Sequence, residues 1–271
     1  MAAMLVAAAG LAAGLAAAPS TSSAPEVVPG GVVRWGGAAV ERCGLGDARW
    51  QPLEGLCLYP VDLNSTGTVT LRREVAGRWQ TTAVRVAKYP YPEQRLTIQD
   101  DSKVHLSQPD IDRSRRESAR VGALWHHPSE RQFTLPLAPP LSKLPEDGRF
   151  GSRRLFNGEP RSPHTGADYA ANTGTPVKAV AAGKVVLAEE HFFSGNSVFI
   201  DHGDELVSMY FHLSEIDVAP GDRVERGQLL GKVGATGRVT GPHLHFGLRW
   251  HGARIDPKAL LGPVAALPEA R

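Results

Sequence analysis

Residues 241–250 read Gly-Pro-His-Leu-His-Phe-Gly-Leu-Arg-Trp. With a period of two, this stretch separates into an apolar set, every second residue from Leu244 to Trp250, and a second set that holds His243 and His245. Because successive side chains of a strand point to opposite faces, the pattern predicts a half-buried β-strand. Two imidazoles would then emerge from one face of a rigid element, about 6–7 Å apart at the backbone. The strand is therefore a candidate for a functional site.

The rest of the second half, from Phe150 onward, alternates short β-type runs with dense glycine turns. Predicted strands lie at residues 177–180, 183–188, 197–201, 206–213, 223–224, 229–233 and 242–250. Several strands with tight turns and almost no helix predict an antiparallel β-sheet domain over residues 150–262. A C-terminal tail would follow at residues 263–271.

A third histidine lies on another of these predicted strands. The residues of one face are Val207, Met209, Phe211 and Leu213, and those of the other are Ser208, Tyr210 and His212. The alternation thus predicts that His212 stands on a polar face. Tyr210 shares that face, where it would either line a substrate groove or pack between neighbours.

Two further units are predicted in the first half of the chain. Residues 26–106 alternate short apolar runs with turn residues, which predicts a small β-sandwich-like accessory domain. A helix should begin at Ser107, since serine is a favoured N-cap and since Pro109 and Asp110 suit the first turn. This helix and a Pro-rich stretch would form a linker over residues 107–149. The predicted fold class is therefore mainly β, with a linking helix before the C-terminal antiparallel sheet.

Composition and the N-terminal segment indicate in which compartment the protein is found. The chain has 271 residues, 42% hydrophobic and 21% charged, and its net charge of +2 gives no argument for nucleic acid. Residues 1–18 are an uncharged run rich in Ala, Leu and Gly, and residues 19–25 are rich in Ser and Pro. This predicts a secretory signal peptide and a linker. A membrane anchor is the alternative, although the run is shorter than the roughly 20 apolar residues that span a bilayer.

We therefore expect an exported protein without a membrane span after signal removal, in the periplasm, secreted or attached to the cell wall. Its two cysteines, Cys43 and Cys57, fit such a compartment. Thirteen residues lie between them, which does not match the C-x-x-C spacing of redox or metal pairs. A structural disulfide is predicted, which would add about 3 kcal/mol by restricting the unfolded loop.

A motif with metal-ligand chemistry lies upstream, at residues 164–168, His-Thr-Gly-Ala-Asp. A histidine and an aspartate four apart, with a glycine between them, can both face one cation, and both bind zinc at about 2.0–2.2 Å. One strand histidine would complete three protein ligands and leave a position for water, as in catalytic zinc sites. The lack of cysteine ligands also argues against a structural zinc. Spacing does not decide which of His212, His243 and His245 would bind.

The second half resembles the lysostaphin-type (LytM-like) zinc endopeptidases, which cleave peptidoglycan peptides. The matching segments follow in order and cover essentially all of residues 150–261. They are residues 150–154, 164–168, 174–177, 183–185, 210–213, 221–224, 227–228, 234–237 and 241–246.

This resemblance implies a ligand set and a reaction. In that family the first motif's His and Asp and the second His of H-x-H bind zinc, which implies His164, Asp168 and His245 here. The two other active-site histidines match His212 and His243, which would assist a zinc-activated water and steady the tetrahedral oxyanion. The implied activity is hydrolysis of peptide cross-links with one Zn²⁺ per domain, and the implied partner is the peptidoglycan stem peptide.

Weaker candidates and alternatives remain. Arg153, Arg154 and Asn157 precede the first ligand and are candidates for contacts with an acidic stem peptide, with exposed loop charges as the alternative. The H-E-x-x-H helix of another metalloprotease class is absent. One alternative function is a non-catalytic wall-binding or amidase-activating protein, and another is a zinc peptidase of exported proteins. The accessory domain would bind the wall or hydrolase-regulating partners.

Overall fold

The structure is a computed structural model and describes residues 25–37, 39–98, 102, 105–125, 127–145 and 148–271. The predicted signal peptide, residues 1–18, lies outside them, as does all of the predicted linker except its last residue. Strands dominate the described part of the chain, which confirms the mainly β class. Neither of its α-helices is long and apolar enough to cross a membrane.

Eight strands precede the long helix in the described residues. They are β1 (Glu26–Val27), β2 (Val32–Trp35), β3 (Val40–Leu45), β4 (Ala48–Trp50), β5 (Cys57–Pro60), β6 (Thr68–Val75), β7 (Arg78–Val86) and β8 (Glu93–Leu96). A five-stranded sheet runs in the order β1-β7-β6-β3-β4, and β2 pairs antiparallel with β5 as a two-stranded ribbon. The sheet and the ribbon enclose an apolar core, in which Cys43 and Cys57 form the predicted disulfide.

The β2–β5 ribbon separates two apolar cores and contributes side chains to both. Val33 and Tyr59 contribute to the core of the N-terminal sheet, whereas Val32 and Leu58 contribute to the core of the C-terminal sheet. This division follows from strand geometry, because neighbouring residues point to opposite faces.

The C-terminal tail returns to the same ribbon. The backbone N–H of Ala270 donates to the carbonyl oxygen of Arg34, at 2.9 Å. The Arg34 guanidinium pairs with the Glu269 carboxylate at 2.7 Å. The last residues of the chain therefore pack against its first described strands.

The long helix and the strands after it form the second half. They are α1 (Gln108–Gly122), β9 (Arg153–Phe156), β10 (Glu159–Pro160), β11 (Ala167–Ala170), β12 (Pro176–Lys178), β13 (Gly183–His191), β14 (Gly195–Asp201), β15 (Leu206–Ile216), β16 (Arg223–Val224), β17 (Leu229–Val233), β18 (His243–Trp250) and β19 (Ala253–Ile255), with a short helix α2 (Lys258–Leu261) and a 3₁₀ turn (Val264–Ala266) at the end. β8, β9 and β10 form a small sheet, and the other nine strands form one antiparallel sheet with the central order β11-β18-β15-β14-β13-β16. The predicted antiparallel sheet is confirmed.

α1 begins where the sequence predicts. The Ser107 hydroxyl oxygen accepts from the Asp110 backbone N–H at 3.4 Å. The helix and its end pack on the face of the large sheet that bears the site histidines. The apolar residues of this contact are Val121, Leu124 and Trp125 on the helical side and Leu187, Phe199, Val207, Met209 and Phe211 on the sheet.

β18 shows the two faces that its sequence predicts. Leu244, Phe246, Leu248 and Trp250 are at most 1% exposed and lie in the large core. Since these four anchor the strand, His243 and His245 emerge together on its other face.

The faces of β15 differ from the prediction. Tyr210 is fully buried, and its hydroxyl accepts from the Val180 backbone N–H at 3.1 Å and lies 3.1 Å from the Ser208 hydroxyl. It therefore packs in the core and does not line a groove. His212 has φ +65°, in the left-handed region.

A β-bulge explains this difference. Along β14, Val198 pairs with Tyr210 but Asn196 pairs with Leu213, so two residues of β15 stand opposite one of β14. The extra residue reverses the alternation, because Leu213 joins Tyr210 in the core. His212 is thereby turned to the opposite face, the one that carries His245.

A buried histidine, His202, is linked to Tyr210 through the Ser208 hydroxyl. The Nδ1–H of His202 donates to the Ala182 carbonyl oxygen at 2.7 Å, and its Nε2 accepts from the Ser208 hydroxyl at 2.7 Å. Burial lowers the pKa of His202 to about 4, because the charged form loses its hydration. The imidazole is therefore neutral in the folded protein at pH 7.

We expect His202 to make stability depend on pH. Its folded pKa lies below the unfolded value near 6.5, so the unfolded chain binds the proton first as the pH falls. His202 therefore does not lower the free energy of unfolding above about pH 6.5. As the pH falls from there to about 4, the free energy of unfolding drops by up to about 3 kcal/mol. Urea unfolding of the His202→Gln variant should show lower stability at pH 7 and a smaller loss between pH 7 and pH 4.5. The matched control is His127→Gln at an exposed site, and an unchanged pH slope in His202→Gln would contradict this role.

Candidate active site

Strand register places an aspartate against a site histidine. β11 pairs antiparallel with β18 so that Asp168 lies directly opposite His245. Its neighbours Ala167 and Tyr169 are buried in the core, so the Asp168 side chain points to the histidine face. Asp168 Oδ1 lies 2.9 Å from Nδ1 of His245.

The first motif histidine completes a group of three. His164 is buried, and its Nδ1–H donates to the Arg149 carbonyl oxygen at 2.8 Å. This bond leaves Nε2 unprotonated, and Nε2 lies 2.9 Å from Asp168 Oδ1 and 2.9 Å from His245 Nδ1. Three candidate ligand atoms thus form a triangle with equal sides.

The triangle fits a zinc ion. Two imidazole nitrogens and one carboxylate oxygen are donors that zinc prefers, and no cysteine takes part. Ligand atoms about 2.1 Å from a tetrahedral zinc lie about 3.4 Å apart, so the observed spacing needs only a small expansion. Burial lowers the pKa of His164 to about 4, which keeps the imidazole neutral as a ligand must be.

Gly166 allows these residues to meet. A Cβ atom at this position would lie 2.5 Å from Nε2 of His245 and 2.7 Å from the carbonyl oxygen of Phe246. Both distances are far below van der Waals contact, and one of the atoms belongs to the backbone of β18. A glycine is therefore required where the motif loop crosses this strand.

Arg154 holds the other side of the carboxylate. Its guanidinium donates to Asp168 Oδ2 at 2.5 Å, which leaves Oδ1 directed at the imidazoles. Arg154 therefore positions a site residue, whereas its sequence position had suggested a contact with substrate.

The other two weak candidates lie away from this group. The Arg153 guanidinium stacks on the ring of Tyr89, 4.7 Å from its centroid. The Asn157 side chain binds the backbone of Ile98, accepting at 2.9 Å and donating at 3.2 Å. Neither side chain lines the cavities beside the histidines, so the expected substrate contacts are not what the structure shows.

Two further histidines face the group. The Nδ1–H of His212 donates to the Thr236 carbonyl oxygen at 2.9 Å, and the Nδ1–H of His243 donates to the Gly241 carbonyl oxygen at 2.8 Å. Both rings therefore present an unprotonated Nε2, and their centroids are 4.8 Å apart. Burial and the neighbouring imidazoles lower the pKa of His212 to about 3. The structure thus brings all five predicted residues together.

Phe211 is a site residue that the sequence pattern did not reveal. It pairs with His245 across the strands, and the two rings stack with centroids 5.1 Å apart and planes within 2°. This contact fixes the plane of the imidazole. The sequence pattern placed Phe211 and His212 on opposite faces, whereas both lie on the site side of the sheet.

Two cavities adjoin the histidine cluster. One, of about 280 Å³, is lined by Asp168, His212 and His243 and bounded by β8. The other, of about 810 Å³, is lined by His164, His212 and His245 and bounded by the start of α1. A peptide placed across both cavities would pass directly beside the cluster.

Comparison with known proteins agrees with this geometry. Residues 162–257 match the sequence profile of peptidase family M23. A crystal structure from Pseudomonas aeruginosa assigned to peptidase M23 is 33% identical with a TM-score of 0.65, and the match covers 87% of this chain and 95% of that one. The chain belongs to peptidase family M23. The predicted resemblance to LytM-like peptidases is thereby confirmed.

Two curated relatives are similar over the second half. The peptidoglycan DD-endopeptidase ShyA of Vibrio cholerae is 42% identical over 129 residues, which is 47% of this chain and 30% of the relative. The glycyl-glycine endopeptidase ALE-1 of Staphylococcus capitis is 44% identical over 85 residues, 31% of this chain and 24% of the relative. The chain thus matches less than a third of the length of either relative.

Proposed function

We propose that this protein is a zinc metalloendopeptidase that hydrolyses peptide cross-links of peptidoglycan. The observation that carries the proposal is the triangle of ligand atoms, each 2.9 Å from the others, at the junction of two cavities. The names of the relatives support the reaction class, since both ShyA and ALE-1 are endopeptidases, and the name of ShyA supports peptidoglycan as the substrate.

We assign the metal to Nε2 of His164, Oδ1 of Asp168 and Nδ1 of His245. Zinc bound by these atoms would activate a water molecule and polarise the scissile carbonyl. Neighbouring side chains hold these ligands in position. Arg154 holds Asp168 in place, and Phe211 holds the plane of the His245 ring.

We assign the catalytic base to His243 and a place beside the same water to His212, whose pKa burial lowers to about 3. Each ring has its Nδ1–H bound to a backbone carbonyl, so each Nε2 can contact the attacking water. The imidazolium so formed can then donate to the tetrahedral oxygen or to the leaving amine. This exchange needs no further protein acid.

The same proposal places the protein outside the cytoplasm, where peptidoglycan lies. The Cys43–Cys57 disulfide supports an oxidising compartment, and we propose the periplasm and removal of the predicted signal peptide. The N-terminal module would then contact the wall or a regulator of hydrolysis.

Purified protein incubated with defined cross-linked muropeptide dimers tests the function. We expect cleavage at the cross-link, loss of cleavage with a chelator and its return on addition of Zn²⁺, with products identified by mass analysis. If no chelator-sensitive cleavage occurs between weakly acidic and alkaline pH, a non-catalytic wall-binding or amidase-activating role is favoured. Cleavage of glycine-rich proteins but not of muropeptides would instead indicate a general exported peptidase.

A further inference from the structure

Thr236 lies in the loop between β17 and β18 and contacts His212 through its backbone. Its carbonyl oxygen accepts from the Nδ1–H of His212 at 2.9 Å. A hydrogen bond at one ring nitrogen determines which nitrogen carries the proton and how the ring is oriented. The direction of the Thr236 carbonyl therefore sets where Nε2 of His212 points.

The side chain of Thr236 ties the same loop to the β-bulge. Its hydroxyl donates to the carbonyl oxygen of Leu213 at 2.8 Å and accepts from the backbone N–H of Asn196 at 2.9 Å. One hydroxyl can make both bonds, because its oxygen is a donor and an acceptor. Asn196 and Leu213 are the residues that pair on one side of the bulge. Thr236 thus binds both strands at the point where His212 is turned toward the cluster.

The backbone of His212 adopts a conformation that needs such support. Its φ of +65° lies in the left-handed region, which residues other than glycine keep only where their surroundings hold it. The His212 N–H donates to the Ser194 carbonyl oxygen at 2.8 Å, and the carbonyl of Leu213 is bound by the Thr236 hydroxyl. The backbone is therefore held by hydrogen bonds on both sides of His212.

Gly195 packs directly against Thr236. A Cβ atom at Gly195 would lie 2.2 Å from Oγ1 and 2.4 Å from the carbonyl carbon of Thr236. The glycine therefore lets the loop approach the start of β14 so closely that a short threonine side chain reaches both strands.

We propose that Thr236 is a positioning residue of the active site, which holds the His212 ring with Nε2 directed at the attacking water. This inference rests on the proposed function. The carbonyl of Thr236 orients the ring, and its hydroxyl orients the carbonyl by binding the bulge. Serine would serve in this role, whereas valine, which has the shape of threonine, offers no hydroxyl.

Thr236→Val and Thr236→Ser, assayed as zinc-loaded proteins on cross-linked muropeptide dimers, test the inference. We expect Thr236→Val to lower kcat by about 10- to 100-fold, since a misplacement of about 1 Å can cost about 100-fold. Its KM and zinc content should stay near the wild type, and Thr236→Ser should retain most of the wild-type kcat. In the His212→Ala background Thr236→Val should cause no further loss, because the ring that it positions is gone.

Thr175→Val is the matched control, because the Thr175 hydroxyl also donates to a backbone carbonyl, that of Asn172 at 2.7 Å, away from the cluster. Its kcat should equal that of the wild type. Circular dichroism checks the fold of each variant, and Thr236→Ala takes the place of Thr236→Val if the latter does not fold.

Nitrogen NMR of the imidazole rings in isotope-labelled, zinc-loaded protein gives a readout that does not need turnover. The wild type should show His212 as the Nδ1–H tautomer, and Thr236→Val should show a mixture of tautomers. An unchanged kcat or tautomer in Thr236→Val, an equal loss in Thr236→Ser, or the same further loss in the His212→Ala background would overturn the inference while the proposed hydrolysis stands. If the wild type cleaves no dimer, the proposed function falls, and the tautomer in Thr236→Val alone decides whether Thr236 positions the ring.

Discussion

His245→Ala should lose both zinc and activity, whereas His243→Ala should retain most of its zinc and lose most of its activity. The reason is geometric. Nδ1 of His245 is one corner of the ligand triangle, 2.9 Å from Asp168 Oδ1, while Nε2 of His243 lies 3.7 Å from the same oxygen. Removal of a general base costs about 10²- to 10⁴-fold in kcat, so the loss in His243→Ala should fall in that range.

Elemental analysis of the two purified variants and a muropeptide assay at saturating zinc separate these roles. His191→Ala serves as a control for the loss of a buried imidazole, because its ring nitrogens contact Glu189 and Ser194 outside the cluster. Equal zinc loss in His245→Ala and His243→Ala would overturn the assignment of His245 as a zinc ligand and His243 as the base. Full zinc and full activity in His243→Ala would remove that residue from the mechanism.

Gly166→Ala should weaken zinc binding by about 10- to 100-fold although it changes no ligand. The added methyl group cannot be accommodated, because it meets both the His245 ring and the backbone of the next residue. Displacing His245 even slightly opens the triangle, and changes beside metal ligands typically cost 10- to 100-fold in affinity. Activity should fall in parallel.

Competition with a chromophoric chelator measures this affinity directly. Gly122→Ala is the matched control, since a Cβ at Gly122 would meet no atom within 4 Å. Zinc affinity within threefold of the wild type in Gly166→Ala would show that the motif loop can move away from β18 at little cost. The steric argument for the glycine would then be wrong.

Much of this site follows from local sequence patterns. The alternation in β18 was enough to place His243 and His245 on one face, because four apolar residues fix the other face in the core. The spacing of His164 and Asp168 indicated a shared cation, and the strands of the large sheet were largely found from their turns. These features depend on neighbours within about ten residues.

The features that were missed depend on distant partners. The direction of His212 is set by a bulge that exists only in the pairing of β15 with β14. Period-two alternation therefore predicts one shared face for Tyr210 and His212, whereas their side chains lie on opposite faces of the sheet. The contact of Arg154 with Asp168 requires the small sheet that β9 makes with β8 and β10. β11 was not among the predicted strands, and the register that places Asp168 opposite His245 exists only in its pairing with β18.

The two-sided β2–β5 ribbon ties the folding of the two halves together. Its side chains fill both cores, and the last residues of the chain hydrogen-bond to it. Neither half can therefore bury its apolar surface alone, so local opening of one should promote opening of the other, and unfolding should be a single cooperative event. In evolution this ribbon could be replaced only together with the residues that contact it from both sides.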